Sequence, residues 1–173
     1  QYDKEGESII IAKQIPQDDL LDHYVDGEPE PIRSKIIEPS SLRIHLLSLI
    51  VTSPTITEDR INNFFSQTLG GMQVEDETIE LNLENAKHFL IDEKFIVKSG
   101  NGLIATKFGQ MVSRLYIDPM TARDFRNAIE YDISKGSKHT FGFLHLITSC
   151  GEFFPKFGLR IKDEERVDIV LEN

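Results

Sequence analysis

The apolar positions change period several times along the chain, and each change marks an element. Ser8-Ile9-Ile10-Ile11-Ala12 is a continuous β-branched run after Gly6, the pattern of a strand buried on both faces. No second strand follows nearby: Pro16 leads into the helix-like Asp18-Asp19-Leu20-Leu21-Asp22-His23-Tyr24-Val25, then into the acidic, proline-bearing Gly27-Glu28-Pro29-Glu30-Pro31. The expectation is a strand whose sheet lies outside this chain. From Ser40 the period is helical, with Leu42, Leu46, Leu49 and Ile50 on one face, Ser40 or Ser41 as N-cap and Ser53-Pro54 as the stop. Thr57 is placed to cap a second helix with Ile61, Phe64, Phe65 and Leu69 as its apolar face, ended by Gly70-Gly71. A third is predicted from about Asp76 to Asp92. Ile79, Leu83, Ala86 and Leu90 line one side of it, and Glu80, Asn82, Glu84, Asn85, Lys87 and His88 the other.

Phe95-Ile96-Val97 and Leu103-Ile104-Ala105 are short β-prone runs around Ser99-Gly100-Asn101-Gly102, and Asn-Gly between such runs signals a hairpin. Three helices followed by a hairpin is the order of a winged helix, with the third helix in the recognition position and residues 98–102 as the wing tip. Beyond it, a short helix is predicted over Phe108 to Tyr116. Asp118-Pro119 supplies an N-cap and a proline at the first helical position, opening a helix to about Tyr131 with Ala122, Phe125 and Ile129 as its buried stripe. Thr140 caps a further helix carrying Phe143, Leu144 and Ile147, and a last one covers Lys162 to Leu171. The expected class is mainly α with a small β-hairpin: a winged helix followed by helices of an incomplete bundle. The aromatic connection with Phe153, Phe154, Pro155 and Phe157 needs a partner surface to be buried.

Composition narrows the class further. The 173 residues are 39% hydrophobic and 28% charged, as in ordinary globular proteins, and the longest apolar runs fall short of the ~20 residues of a bilayer span. No membrane partner is expected. Cys150 is alone, so neither an intramolecular disulfide nor a cysteine zinc site is available, and a reducing, cytoplasmic setting is the simplest reading. Gln1 begins without Met or a targeting pattern, as a piece of a longer chain would.

The net charge of −10 is uneven: residues 1–39 hold 4 basic and 10 acidic groups, whereas between Lys94 and Arg126 six basic groups face two acidic ones. A phosphate-binding surface is expected in that second stretch. Lys98, Lys107 and Arg114 are the phosphate candidates, while Asn85, Lys87, His88 and Asn101 could add contacts from helix and wing. Glu80 and Glu84 against a single Lys87 would repel a duplex inserted on the third helix, so contact with backbone rather than base edges is expected. No phosphate loop, G-x-S-x-G elbow or H-E-x-x-H pair occurs. The five histidines are scattered, and His45 and His145, inside apolar helices, read as core histidines. No catalytic residue, metal site or cofactor site is assigned to this chain.

Three segments carry a family resemblance: residues 24–35 (Tyr24 to Lys35), 42–50 (Leu42-Arg43-Ile44-His45 to Ile50) and 113–119 (Ser113-Arg114-Leu115-Tyr116-Ile117-Asp118-Pro119), joined by Gly142 to Ile147. In this order they resemble archaeal superfamily 2 DNA helicases of the Hjm type, related to the superkiller-like helicases. The resemblance implies that residues 1–37 are the tail of a second RecA-like motor domain, 38–117 a winged helix, and 118–173 the first helices of a ratchet domain. It implies a parent that uses ATP and Mg to unwind forked DNA 3′ to 5′ in repair and restart of stalled forks. The partners would be forked or single-stranded DNA and the remaining helicase domains. The ATP-binding motifs of the family do not occur in this sequence. Two other classes fit the bare pattern, a freestanding winged-helix transcription regulator and an interaction platform built on the Phe153 to Phe157 aromatics.

Overall fold

The computed structural model describes residues 6–158 apart from 8, 12, 14, 29, 137, 138 and 157; the expected helix over Lys162 to Leu171 lies outside the described residues. The chain divides into two units, Gln1–Arg33 and Ser34–Asn173. In the first, α1 (Gln17–Tyr24) carries Asp18 and Asp19 in its first turn and buries no residue, the acidic pair complementing the helix dipole. Ile9, Ile10 and Ile11 form no strand; all three are exposed, Ile11 at 93%. A strand that finds no neighbour has nothing to satisfy its backbone but water.

The second unit is built on α2 (Pro39–Thr52), α3 (Glu58–Ser66), α4 (Leu69–Met72), α5 (Asp76–Asp92), the antiparallel strands β1 (Ile96–Ser99) and β2 (Gly102–Ala105), α6 (Lys107–Leu115), α7 (Pro119–Lys135) and α8 (Thr140–Ser149). Its core joins Leu42, Leu46, Leu47 and Ile50 of α2 to Ile61 and Phe65 of α3, Ile79, Leu83 and Leu90 of α5, Phe95 and Leu103 of the hairpin, and Val112 of α6. This is the winged-helix order. Ile56 completes it by pairing with Leu103 as a one-residue third strand, through Ile56 N–H to Leu103 O at 3.2 Å and the reverse bond at 2.8 Å.

Several boundaries differ from the sequence expectation for physical reasons. α2 starts at Pro39, with Glu38 at the N-cap rather than Ser40 or Ser41, because proline's fixed φ suits the first helical position. α3 ends at Ser66, and Gly70 and Gly71 sit buried inside the short α4 instead of stopping α3, leaving Phe64 and Leu69 exposed. The hairpin pairs Ser99 with Gly102, so the two loop residues are Gly100 and Asn101, not Asn-Gly. Gly100 takes the positive φ, at 57°, as the first central residue of a II′-type turn does. α7 runs on to Lys135, where Gly136 closes it in the left-handed conformation. Of its expected stripe only Ala122 is buried; Phe125 is half-buried and Ile129 exposed. α8 has His139 rather than Thr140 at its N-cap and buries nothing, so His145 is exposed, not a core histidine.

Candidate nucleic-acid interface

The recognition-position helix α5 presents an acidic face. At about 100° per residue, Glu77, Glu80, Glu84 and His88 fall in one stripe, and all four are exposed. Lys87 does not lie on that open side, as its grouping with His88 had suggested. It stands only about 40° around the helix from core Leu83, its residue is 5% exposed, and its ammonium donates to Glu58 Oε2 of α3 at 2.9 Å and pairs with Glu84 Oε2 at 2.7 Å. Burial pulls the Lys87 pKa down, but hydrogen bonds to Glu84 and Glu58 outweigh it and hold it above the ordinary lysine value. Glu84 is held below the ordinary carboxylate range, first by its hydrogen bond from Lys87 and then, against some burial, by the charges of Lys87, His88 and Lys98. His88 Nε2 also meets Glu84 Oε1 at 2.8 Å. One carboxylate thus faces Lys87, His88 and Lys98, and Lys87 is committed to joining α3 to α5.

The other candidates lie on the wing and α6. Lys98 is exposed on β1 opposite Leu103. Asn101 is exposed at the turn. Lys107 and Arg114, both exposed, stand seven residues apart on α6, on the same face and about 10.5 Å apart along the axis, close to three nucleotide steps of one strand at ~3.4 Å each. What aims this face outward is the opposite one. Gly109 and Val112 are buried, and Thr106 caps the helix, its Oγ1 accepting from Gly109 N–H at 3.1 Å and donating to Lys94 O at 2.8 Å.

Two cations of the basic stretch, Arg123 and Arg126, turn onto aromatic rings, as does Arg43 outside it, while Lys94 stays exposed. Arg43 of α2 grips Asp118 with two bonds, Nε to Oδ1 at 2.9 Å and a terminal nitrogen to Oδ2 at 2.6 Å, with side chains 12% and 14% exposed. Asp118 also caps α7, Oδ1 accepting from Met120 N–H at 3.0 Å. Phe89 lies between two guanidiniums, Arg43 and Arg123, each 5.5 Å from its centroid. Phe89, Phe95 and Phe108 stack in sequence, and Arg126 covers the last two while bonding Glu93 through its carbonyl and its carboxylate. The local positive surplus read from sequence therefore splits: Arg123 and Arg126 serve packing, and Lys94, Lys98, Lys107 and Arg114 remain open. Partners 75 residues apart leave no spacing signal, so the Arg43 to Asp118 clamp was invisible to pattern reading.

Among the described residues no group of three or more His, Cys, Asp or Glu could hold a metal ion, and no helix is long and apolar enough to cross a membrane.

A helix-turn-helix unit with a wing and a clamped following helix is the class that this geometry defines. The chain matches the family described as helix-turn-helix domain over residues 6–97, more than half its length, and belongs to it. It is also similar to proteins named ATP-dependent DNA helicase Hel308. The one from Thermococcus kodakarensis is 30% identical over 174 residues, 99% of this chain and 15% of that protein. The Methanocella arvoryzae protein is 33% identical over 151 residues, 86% and 20%, and that of Pyrococcus horikoshii 30% identical over 157 residues, 90% and 22%. The chain thus spans between 15 and 22% of the length of these relatives.

Proposed function

We propose that this chain is a non-catalytic segment of an ATP-dependent 3′ to 5′ DNA helicase of repair and stalled-fork restart. In this reading the winged helix couples the motor to a helical ratchet and touches backbone phosphates. The observation that carries it is similarity to proteins named as DNA helicases across nearly the whole chain, in a sequence without a G-x-x-x-x-G-K-S/T phosphate loop. ATP and Mg belong to the rest of the parent, and forked or single-stranded DNA is the partner, in the cytoplasm. Lys98, Lys107 and Arg114 make the phosphate contacts, with Asn101 and His88 as polar neighbours; Lys87, held by Glu58 and Glu84, takes no part. The acidic stripe of α5 favours backbone contact over base reading and so disfavours a sequence-specific regulator.

Fluorescence anisotropy on forked, duplex and single-stranded oligonucleotides across a salt series tests this. Three phosphate contacts give a log-log slope of about −2.7 on duplex, with weak affinity and no sequence preference. A slope near −8, or strong preference for one sequence by a symmetric dimer, would overturn it, as would ATP turnover that co-purifies with this chain.

A further inference from the structure

We infer that Arg43, Asp118 and Arg126 clamp the first half of α7 onto the winged helix and make its second half a lever that carries α8. The inference rests on the coupling reading above and names the residues that perform it.

The clamp is polar by necessity. On one side of α7 an open groove of about 470 Å³, lined by Ile44, Thr121, Phe125 and Leu146 among others, leaves the helix without a filled apolar seat there. Only Pro119 and Ala122 of its 17 residues are buried. What fixes it is the two-bond Arg43 to Asp118 pair, Arg126 on Glu93, and the guanidiniums stacked on Phe89, Phe95 and Phe108. A fork-to-fork pair sets angle as well as distance, which a point contact cannot. Glu152 adds a brace from beyond α8, accepting from Asp118 N–H and Thr121 Oγ1, both at 2.8 Å.

All of these holds act at residues 118–126. From Asn127 onward most of α7 is exposed, including Ile129, Tyr131 and Ile133, a free length of about 13 Å. α8 packs on α7. A small rotation of the winged helix is therefore delivered, enlarged, at the far end of α7, provided that the clamp does not slip.

Two measurements separate the clamp from its use. Asp118→Asn keeps the helix cap, since asparagine caps as well as aspartate, but removes the charge; Arg43→Met keeps the stem packed and removes the fork. In this chain, with Cys150→Ser and spin labels at Glu80→Cys and Ile133→Cys, the label distance distribution is expected to be narrow. Either clamp variant should broaden it while the chain remains cooperatively folded, and Arg43→Lys should restore it in part. An unchanged distribution overturns the clamp. In the full-length parent, the same variants should lower unwinding per ATP hydrolysed roughly five- to tenfold and leave single-strand-stimulated ATP hydrolysis intact. Equal loss of both activities, or of neither, overturns the lever. A wild-type parent without DNA-stimulated ATP hydrolysis refutes the helicase reading and the lever with it, while the label distances still decide the clamp.

Discussion

Gly109 offers the sharpest test of how the open face of α6 is aimed, because two effects of opposite sign compete there.

 

Gly109 lies in the first turn of α6, with its Cα against the backbone of Phe95 just before β1. A Cβ added to it would overlap the Phe95 carbonyl oxygen, lying 3.0 Å from the carbonyl carbon and 3.3 Å from Leu47 Cδ1. Replacing glycine by alanine inside a helix gains about 1 kcal/mol of propensity. Forcing a methyl into a filled contact costs ~1–3 kcal/mol, and here the obstacle is backbone, which cannot rotate away. α6 would have to withdraw by about 1 Å to restore a normal contact, loosening the Thr106 cap and Val112 at the same time. Gly109→Ala should therefore be a net loss of about 1–2 kcal/mol, or roughly 2–8 °C in Tm, followed by far-UV circular dichroism. Gln110→Ala, one residue on and facing water, should stay within about 0.5 kcal/mol of the parent. A Gly109→Ala protein as stable as the parent, or more so, would show that α6 is free to shift and that the outward aim of Lys107 and Arg114 is not fixed by this contact.

Thr106→Ala removes the cap of α6 and its bond to Lys94 O and should cost about 1 kcal/mol, with Thr106→Ser recovering most of it; equal Tm values for all three would exclude the cap. Lys87→Met should change the pH dependence of unfolding at both ends. With its pKa raised in the fold, Lys87 contributes stability that is complete below the unfolded lysine pKa and is lost as pH rises through the higher folded value; with its pKa lowered, Glu84 contributes stability present above the unfolded carboxylate pKa and lost as pH falls through the folded one. Denaturant titrations from acid to alkaline pH should show both flanks flattened in Lys87→Met, and identical profiles would refute the assignment. Glu77→Lys with Glu80→Lys should raise duplex affinity and steepen the salt slope by up to about 1.8; unchanged binding would mean that α5 faces away from the DNA.

The helices and the wing were legible because each rests on local chemistry. The α5 stripe of Ile79, Leu83, Ala86 and Leu90 is buried as its period requires, and Asp118-Pro119 opens α7 through the Asp118 cap. Where the pattern misled, the deciding contact came from elsewhere in the chain. Ile56 looks like a loop residue after Ser53-Pro54 until Leu103 pairs with it. Lys87 reads as solvent-facing until Glu58 of α3 is placed beside it. The stripe of α7 failed differently: Ile129 has correct helical spacing but no element over it among the described residues, and periodicity reports a face, not what covers it.

The same limit applies to charge, and it bears on function. Six basic groups between Lys94 and Arg126 look like one electrostatic surface in the sequence, yet the fold divides them by side-chain chemistry. The two of them that pack on Phe89, Phe95 and Phe108 are arginines, whose planar, weakly hydrated guanidiniums stack on rings and fork onto carboxylates. Lys98 and Lys107, compact and strongly hydrated, stay in water, where a phosphate can reach them at little desolvation cost. Arg114 is the exception that marks the boundary: an arginine with no ring or carboxylate contact among the described residues, exposed in the last turn of α6, it keeps its fork available for a phosphate. Substituting Lys for Arg123 or Arg126 should therefore weaken the packing of α7 without adding to DNA affinity, because the position of each cation, and not the local sum, decides which surface it serves.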